Sequence, residues 1–288
     1  MTKSFESMSL ESVDVDRMHL RAGKILDQDR VDENDFIEPY GQATIDADLA
    51  EVERLESLFN ARDTRESKEQ KKVADIFEAI VLWNGEQSNW LGENAVTVKT
   101  SRYDDYVNGV DAVIEFQGNE PRMASYLGIA ADVTFSTDTT KKFDRLKNQI
   151  DKGELAKVKY FHSEHMNIHG QLSKLPAVIL GMDKSTVLEL AELQAEKKFK
   201  ELGSHRAQIM MLEQMRAQFT TYSKYADRIG KQDLGDIYRD RLKIVEGLLE
   251  EKSDLANKVK YEINDEVHSS IMSFMKRWEM SMLLESEK

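Results

Sequence analysis

Two short stretches of this chain place carboxylates where a buried strand would ordinarily have none. Residues 109–116 read GVDAVIEF and residues 129–136 read IAADVTFS, carrying Asp111 and Asp132. A carboxylate removed from water is costly unless it is paired or bound to a cation. Asp111 falls at the start of one apolar run and Asp132 near the end of the next. In an antiparallel pair the start of one strand lies beside the end of the other. The two aspartates then meet at one edge of a sheet. Two hard oxygen donors converging on one point suit Mg²⁺ or Mn²⁺. A cation held this way activates water and neutralises charge on a phosphodiester.

Such a site needs a scaffold, and the apolar spacing supplies one. Ile45, Leu49, Val52, Leu55 and Leu58 recur at helical intervals between Ala43 and Arg65. A second helix starts near Ser67, with Val73, Ile76, Phe77, Ile80 and Val81 as its apolar stripe, and runs towards Trp90. Residues 95–101, AVTVKTS, alternate and are rich in β-branched types. YDDYVNG (103–109) reads as a turn-like link whose Asn-Gly signals a hairpin. VDAVIEF is the second strand, QGNEPRMA a loop, and SYLGIAADVTFS the third strand, apolar enough to be central. TDTTKKFDRLKNQI predicts a helix, AKVKYFH a fourth strand and LPAVILGM a fifth. After Asp183 no strand signal remains, and Gly203 and Gly230 separate long helical stretches. The expected fold class is α/β, a mixed sheet flanked by helices, followed by a long all-helical region. The expected organisation is an acidic, flexible arm over 1–43, an α/β domain with a leading helix over 44–183, and a helical region over 184–288.

The order helix, three-strand meander, helix, strand, with NGVDAVIEF and ADVTF at the second and third strands, resembles the PD-(D/E)XK nuclease superfamily. The resemblance covers residues 67–183. It implies a restriction-endonuclease-like core, Mg²⁺ or Mn²⁺ on Asp111 and Asp132, and hydrolysis of nucleic acid, DNA in the first place. It also implies a lysine two residues beyond the second acid, where this chain has Thr134. Some members of the family carry that lysine on the following helix. There Phe143, Leu146 and Ile150 mark the buried face. Lys142 lies about 70° from its centre and Lys141 about 170° away, at 100° per residue. Lys142 is thus the expected partner of the attacking water, and Lys99 on the first strand is a further possibility. The family often adds a glutamate from the first helix; Glu78 is the natural match here, and Glu86 a weaker one.

Other polar residues admit two readings. Asp104 and Asp105 can join the acidic cluster or start the turn. Glu115 shares a strand face with Asp111, further from the edge. Residues 141–159 hold seven Lys and Arg against three acids, so Lys141, Lys142, Arg145 and Lys147 are candidates for phosphate contacts, or else a solvated helix face. His162, Glu164, His165 and His169 invite comparison with a zinc site, but a loop is expected over FHSEHMNIH.

Composition narrows the classes. The net charge of −13 sits largely in residues 1–66, with 8 basic and 17 acidic residues, which counts against a whole-chain basic nucleic-acid binder. There is no cysteine, so no disulfide framework or thiolate nucleophile. No apolar run nears the ~18 residues of a membrane span, and the N-terminal residues lack the apolar core of a signal peptide. A cytoplasmic location and no membrane partner are expected. Seven of the thirteen methionines fall in 184–288, where they can fill a helical core or face a protein partner. A homo-oligomer through these helices is expected. The alternative function is a catalytically inactive protein of the same fold, acting as a binding or assembly module through that helical region.

Overall fold

The computed structural model describes residues 5–28, 30–117, 124–132, 140–164 and 167–286, with the backbone alone for 5–13, 124–132, 285 and 286. The helices are α1 (Phe5–Gln28), α2 (Ile37–Tyr40), α3 (Gln42–Arg62), α4 (Arg65–Gln87), α5 (Thr140–Lys152), α6 (Lys184–Ala195), α7 (Phe199–Leu202), α8 (Ala207–Arg228), α9 (Gln232–Glu251), α10 (Ser253–Val259) and α11 (Glu266–Ser286). The strands are β1 (Ala95–Lys99), β2 (Ala112–Gln117), β3 (Ala124–Asp132), β4 (Ala156–Ser163), β5 (Ile168–Leu175) and β6 (Ala177–Gly181).

The fold is mixed α/β. One four-stranded sheet has the order β1-β2-β3-β6; its first three strands are an antiparallel meander, and β6 joins β3 in parallel. β4 and β5 form a separate two-stranded hairpin, so the segment expected as a loop around the histidines is instead two strands and their turn. α4 begins where the Thr64 side chain accepts from the Ser67 N–H (3.1 Å), and its stripe of Val73, Ile76, Phe77, Ile80 and Val81 is buried. β1 and β2 are joined not by a tight Asn-Gly hairpin but by a longer link, with a π-helical turn over Asp104–Asn108 and Gly109 in the left-handed region at φ +63°.

The N-terminal segment departs from the flexible arm expected over 1–43. α1 packs on α4, with Val15, Met18, Ala22 and Leu26 buried. Their spacing of three and four residues forms a narrow stripe that average composition hides, and α4 offers the complementary face. Beyond α1, Arg30 bridges Lys99 in parallel and the Val31 N–H donates to the Lys99 carbonyl (3.2 Å), adding the segment beside β1.

The helical region is built onto the sheet. One hydrophobic core runs from Val15 to Met282 and includes Met210, Met211, Met215 and Met275, so much of the methionine content is consumed inside the chain. Two glutamines on α8 cover the outer edge of β6. The Gln218 amide accepts from Ile179 N–H (2.8 Å) and donates to Ile179 O (2.7 Å); Gln214 does the same for Gly181 (3.0 and 2.8 Å). Four helical residues rise about 6.0 Å and two strand residues about 6.6 Å, so the two amides match alternate strand residues. An otherwise open edge is thereby paired. Among the described residues no helix is long and apolar enough to cross a membrane.

Candidate functional site

The sheet edge that carries Asp111 is where α4, the end of β1 and the Asp104–Asn108 turn converge. Lys99, the last residue of β1, is fully buried. Its ammonium pairs with Glu78 of α4, lies 3.1 Å from Asp105 Oδ2, and donates to the Asp111 backbone carbonyl at 3.1 Å. Thr100 ties the same carbonyl from its N–H (3.3 Å) and its hydroxyl (2.9 Å). These bonds hold the start of β2 against the end of β1. At this edge opens a cleft of about 680 Å³, lined by residues of α1, α3 and α4 and by Arg145 of α5.

Burial dominates the electrostatics. It pushes the Asp111 carboxyl well above the ordinary carboxylate range; the Asp105 and Glu78 charges add to this, and Lys99 and Lys142 oppose it. Glu78 is also raised, because its burial outweighs the attraction of Lys99. For Lys99 burial opposes the charge, but Glu78, Asp105 and Asp111 together outweigh it and hold the ammonium above its usual value. Lys99 is therefore a cation and a donor at neutral pH, not a base. Two of its N–H groups donate to Asp105 Oδ2 and the Asp111 carbonyl, and the ammonium is ion-paired with Glu78.

Adjacent acids have opposite fates. Asp105 faces Lys99, with Arg30 Nη1 3.6 Å away. Asp104 points the other way and accepts from Ser101 Oγ (2.9 Å), Asn108 Nδ2 (2.6 Å), and the backbone N–H groups of Lys159 (2.7 Å) and Tyr160 (3.0 Å). It locks β4 to the turn and is structural. Asp104→Ala is expected to destabilise by about 3 kcal/mol, since it leaves buried amides unpaired; chemical denaturation measures this.

The other expected residues scatter. Asp132 ends β3 opposite Gly181. With Ala112 opposite Ile129, its backbone lies at the same sheet edge as Asp111. Its side chain, and Thr134 altogether, lie outside the described residues. Lys142 is half-buried in the first turn of α5 and acts on Asp111 through its charge. Lys141 is exposed, while Arg145 lines the cleft and donates to Gly109 O (3.2 Å). Lys147 instead lies over the rings of Tyr225 (5.3 Å) and Trp278 (5.9 Å). Glu86 accepts from Thr97 N–H (2.7 Å) and so braces α4 against β1. Glu115 is buried beside Gln117. His162 and His169 face each other across β4 and β5, Nδ1 to Nδ1 at 3.3 Å; His165 lies outside the described residues. Reading the sequence missed Arg30, which no periodicity or motif marks.

A hard divalent cation at Asp111 would relieve the burial and repulsion that raise its carboxyl. Among the described residues no group of three or more His, Asp or Glu is arranged to hold a metal ion, and the second carboxylate in question is Asp132. Comparison of the chain with family models, with curated proteins and with solved structures gives no match.

Proposed function

We propose that this protein hydrolyses phosphodiester bonds in nucleic acid, DNA in the first place, on a restriction-endonuclease-like core. The observation that carries this reading is the convergence of buried Lys99 with Glu78 and the Asp111 strand start beneath a cleft of about 680 Å³. The elements that build the main sheet, α4-β1-β2-β3-α5-β6 with the β4-β5 hairpin inserted before β6 and with β3 and β6 parallel, support the order that the motif resemblance implies. Asp111 and Asp132 would hold Mg²⁺ or Mn²⁺, which supplies an acidified water and neutralises phosphate charge. Glu78 keeps Lys99 in place. Lys99 stands in for the lysine absent at Thr134 by keeping a positive charge beside the Asp111 strand start. Lys142 adds positive charge from the first turn of α5, and Lys141, Arg145 and Lys147 extend it along the helix.

One observation favours a second reading. Lys99 is fully buried among Glu78, Asp105 and the Asp111 carbonyl, as in a purely structural ion-pair network, and the protein would then be a binding or assembly module on the same fold. Incubation with single- and double-stranded DNA and RNA separates the two. Cleavage that needs Mg²⁺ or Mn²⁺, stops with chelator and is absent in Asp132→Ala supports hydrolysis. A folded wild type that cleaves none of them with either metal supports the module.

A further inference from the structure

The charged lining of the cleft is mostly acidic, and an anionic substrate needs a cation inside it. The N-terminal segment brings one. Arg30 lies beside the outer strand β1, held by its bridge to Lys99 and by the Val31 N–H bond to Lys99 O (3.2 Å). Its guanidinium lines the cleft, and Nη1 is buried without a hydrogen-bond partner among the described residues; its nearest acid, Asp105 Oδ2, is 3.6 Å away. Other cations of the wall are engaged: Lys71 with Tyr106, Arg102 with Glu56 (2.6 Å) and Arg145 with Gly109 O (3.2 Å). A buried donor left unpaired is costly and calls for an explanation.

We infer that Arg30 is the phosphate-binding residue of this cleft, donating from the side of its guanidinium that lines the cleft to a non-bridging oxygen of the phosphodiester, while buried Nη1 stays beside Asp105. The inference rests on the phosphodiester reading above and adds the group that recognises the anion. Guanidinium suits the task. It is charged at every working pH, and its planar fork matches phosphate oxygens. The surrounding carboxylates, Asp27, Asp75, Glu78 and Asp105, repel an anion elsewhere in the cleft, so the phosphate is steered to Arg30 and to any cation on Asp111. The N-terminal segment is then part of the site rather than an appendage to the α/β core.

The test is binding of a fluorescent single-stranded oligodeoxynucleotide to the full chain in chelator, which prevents metal-dependent cleavage. The same oligonucleotide with uncharged methylphosphonate linkages is the control. Arg30→Gln is expected to weaken the charged oligonucleotide on the order of tenfold to a hundredfold, the worth of one charge-assisted hydrogen bond. Its salt slope should fall by about 0.7, one phosphate contact on a single strand. The neutral oligonucleotide should bind both proteins alike. Unchanged binding of the charged strand, an equal loss for both strands, or no binding by the wild type overturns the assignment. Should Arg30→Gln not fold, Arg30→Lys carries the test: it keeps the charge but not the fork, and must still weaken the charged strand at an unchanged Tm. Cleavage with Mg²⁺ is scored separately. Intact cleavage with unchanged Arg30→Gln binding removes Arg30 alone; Arg30-dependent binding without wild-type cleavage removes hydrolysis alone.

Discussion

Lys99→Met is expected to destabilise the protein by about 3–5 kcal/mol, the usual cost of removing one partner from a buried ion pair. The loss falls on Glu78, whose side chain is 13% exposed, and on Asp105, both of which face the vacated position. The Asp111 carbonyl also loses a donor, though Thr100 still serves it. For a chain of this size the Tm should drop by about 10 °C. Adding Glu78→Gln should restore a large part of that stability, because the stranded charge is then gone. Thermal denaturation of the two single variants and the double variant measures the coupling. A Lys99→Met protein within about 1 kcal/mol of wild type would mean that water reaches this cluster, and the buried-network account would fail.

Asp111→Asn carries the other large effect. Cleavage should fall on the order of a thousandfold, the upper scale for removing one electrostatic stabiliser from a site. Stability should move in the opposite direction. Burial first, and then Asp105 and Glu78, raise the Asp111 carboxyl in the folded protein. A raised acid binds its proton more tightly when folded than unfolded. The folded state is therefore favoured below the ordinary carboxylate value of about 3.9 and loses that advantage as pH rises through the raised one. Asparagine has no such loss. In chelator the variant should match wild type near the ordinary carboxylate value and exceed it at neutral pH, with a Tm gain of a few degrees. Millimolar Mg²⁺ should narrow the gap by stabilising wild type alone. A variant that melts below wild type at neutral pH would show that the folded protein favours the charged form of Asp111 rather than penalising it. The metal-site reading would then lose its main electrostatic support.

The elements of the α/β part are legible along the chain because periodicity is carried by neighbouring residues. The Val73–Val81 stripe announces α4 whatever it packs against, and VDAVIEF announces β2. A carboxylate inside such a run stands out, which is why Asp111 is visible without a structure. α1 shows the limit of the same signal. Its buried residues are few and spaced for one narrow face, so a composition average reads as an acidic arm, and only the matching face of α4 makes the stripe a contact.

Charge placement was not legible, because it depends on partners from distant parts of the chain. Lys99 looks like any lysine ending an alternating strand; Glu78 from α4 and Asp105 from the following turn bury it and keep it charged. Asp104 and Asp105 are neighbours of one type, yet one binds the amides of Lys159 and Tyr160 and the other faces Lys99. Gln214 and Gln218 read as the polar face of a helix until the crossover puts β6 at the sheet edge beside them. Arg30 sits in the most acidic stretch of the sequence and reaches the cleft only because its backbone pairs with β1. Local spacing sets where helices and strands form. Which polar groups are buried, and against which partners, follows from how those elements meet, since the cost of removing a charge from water is offset only by groups that folding brings within a few ångströms.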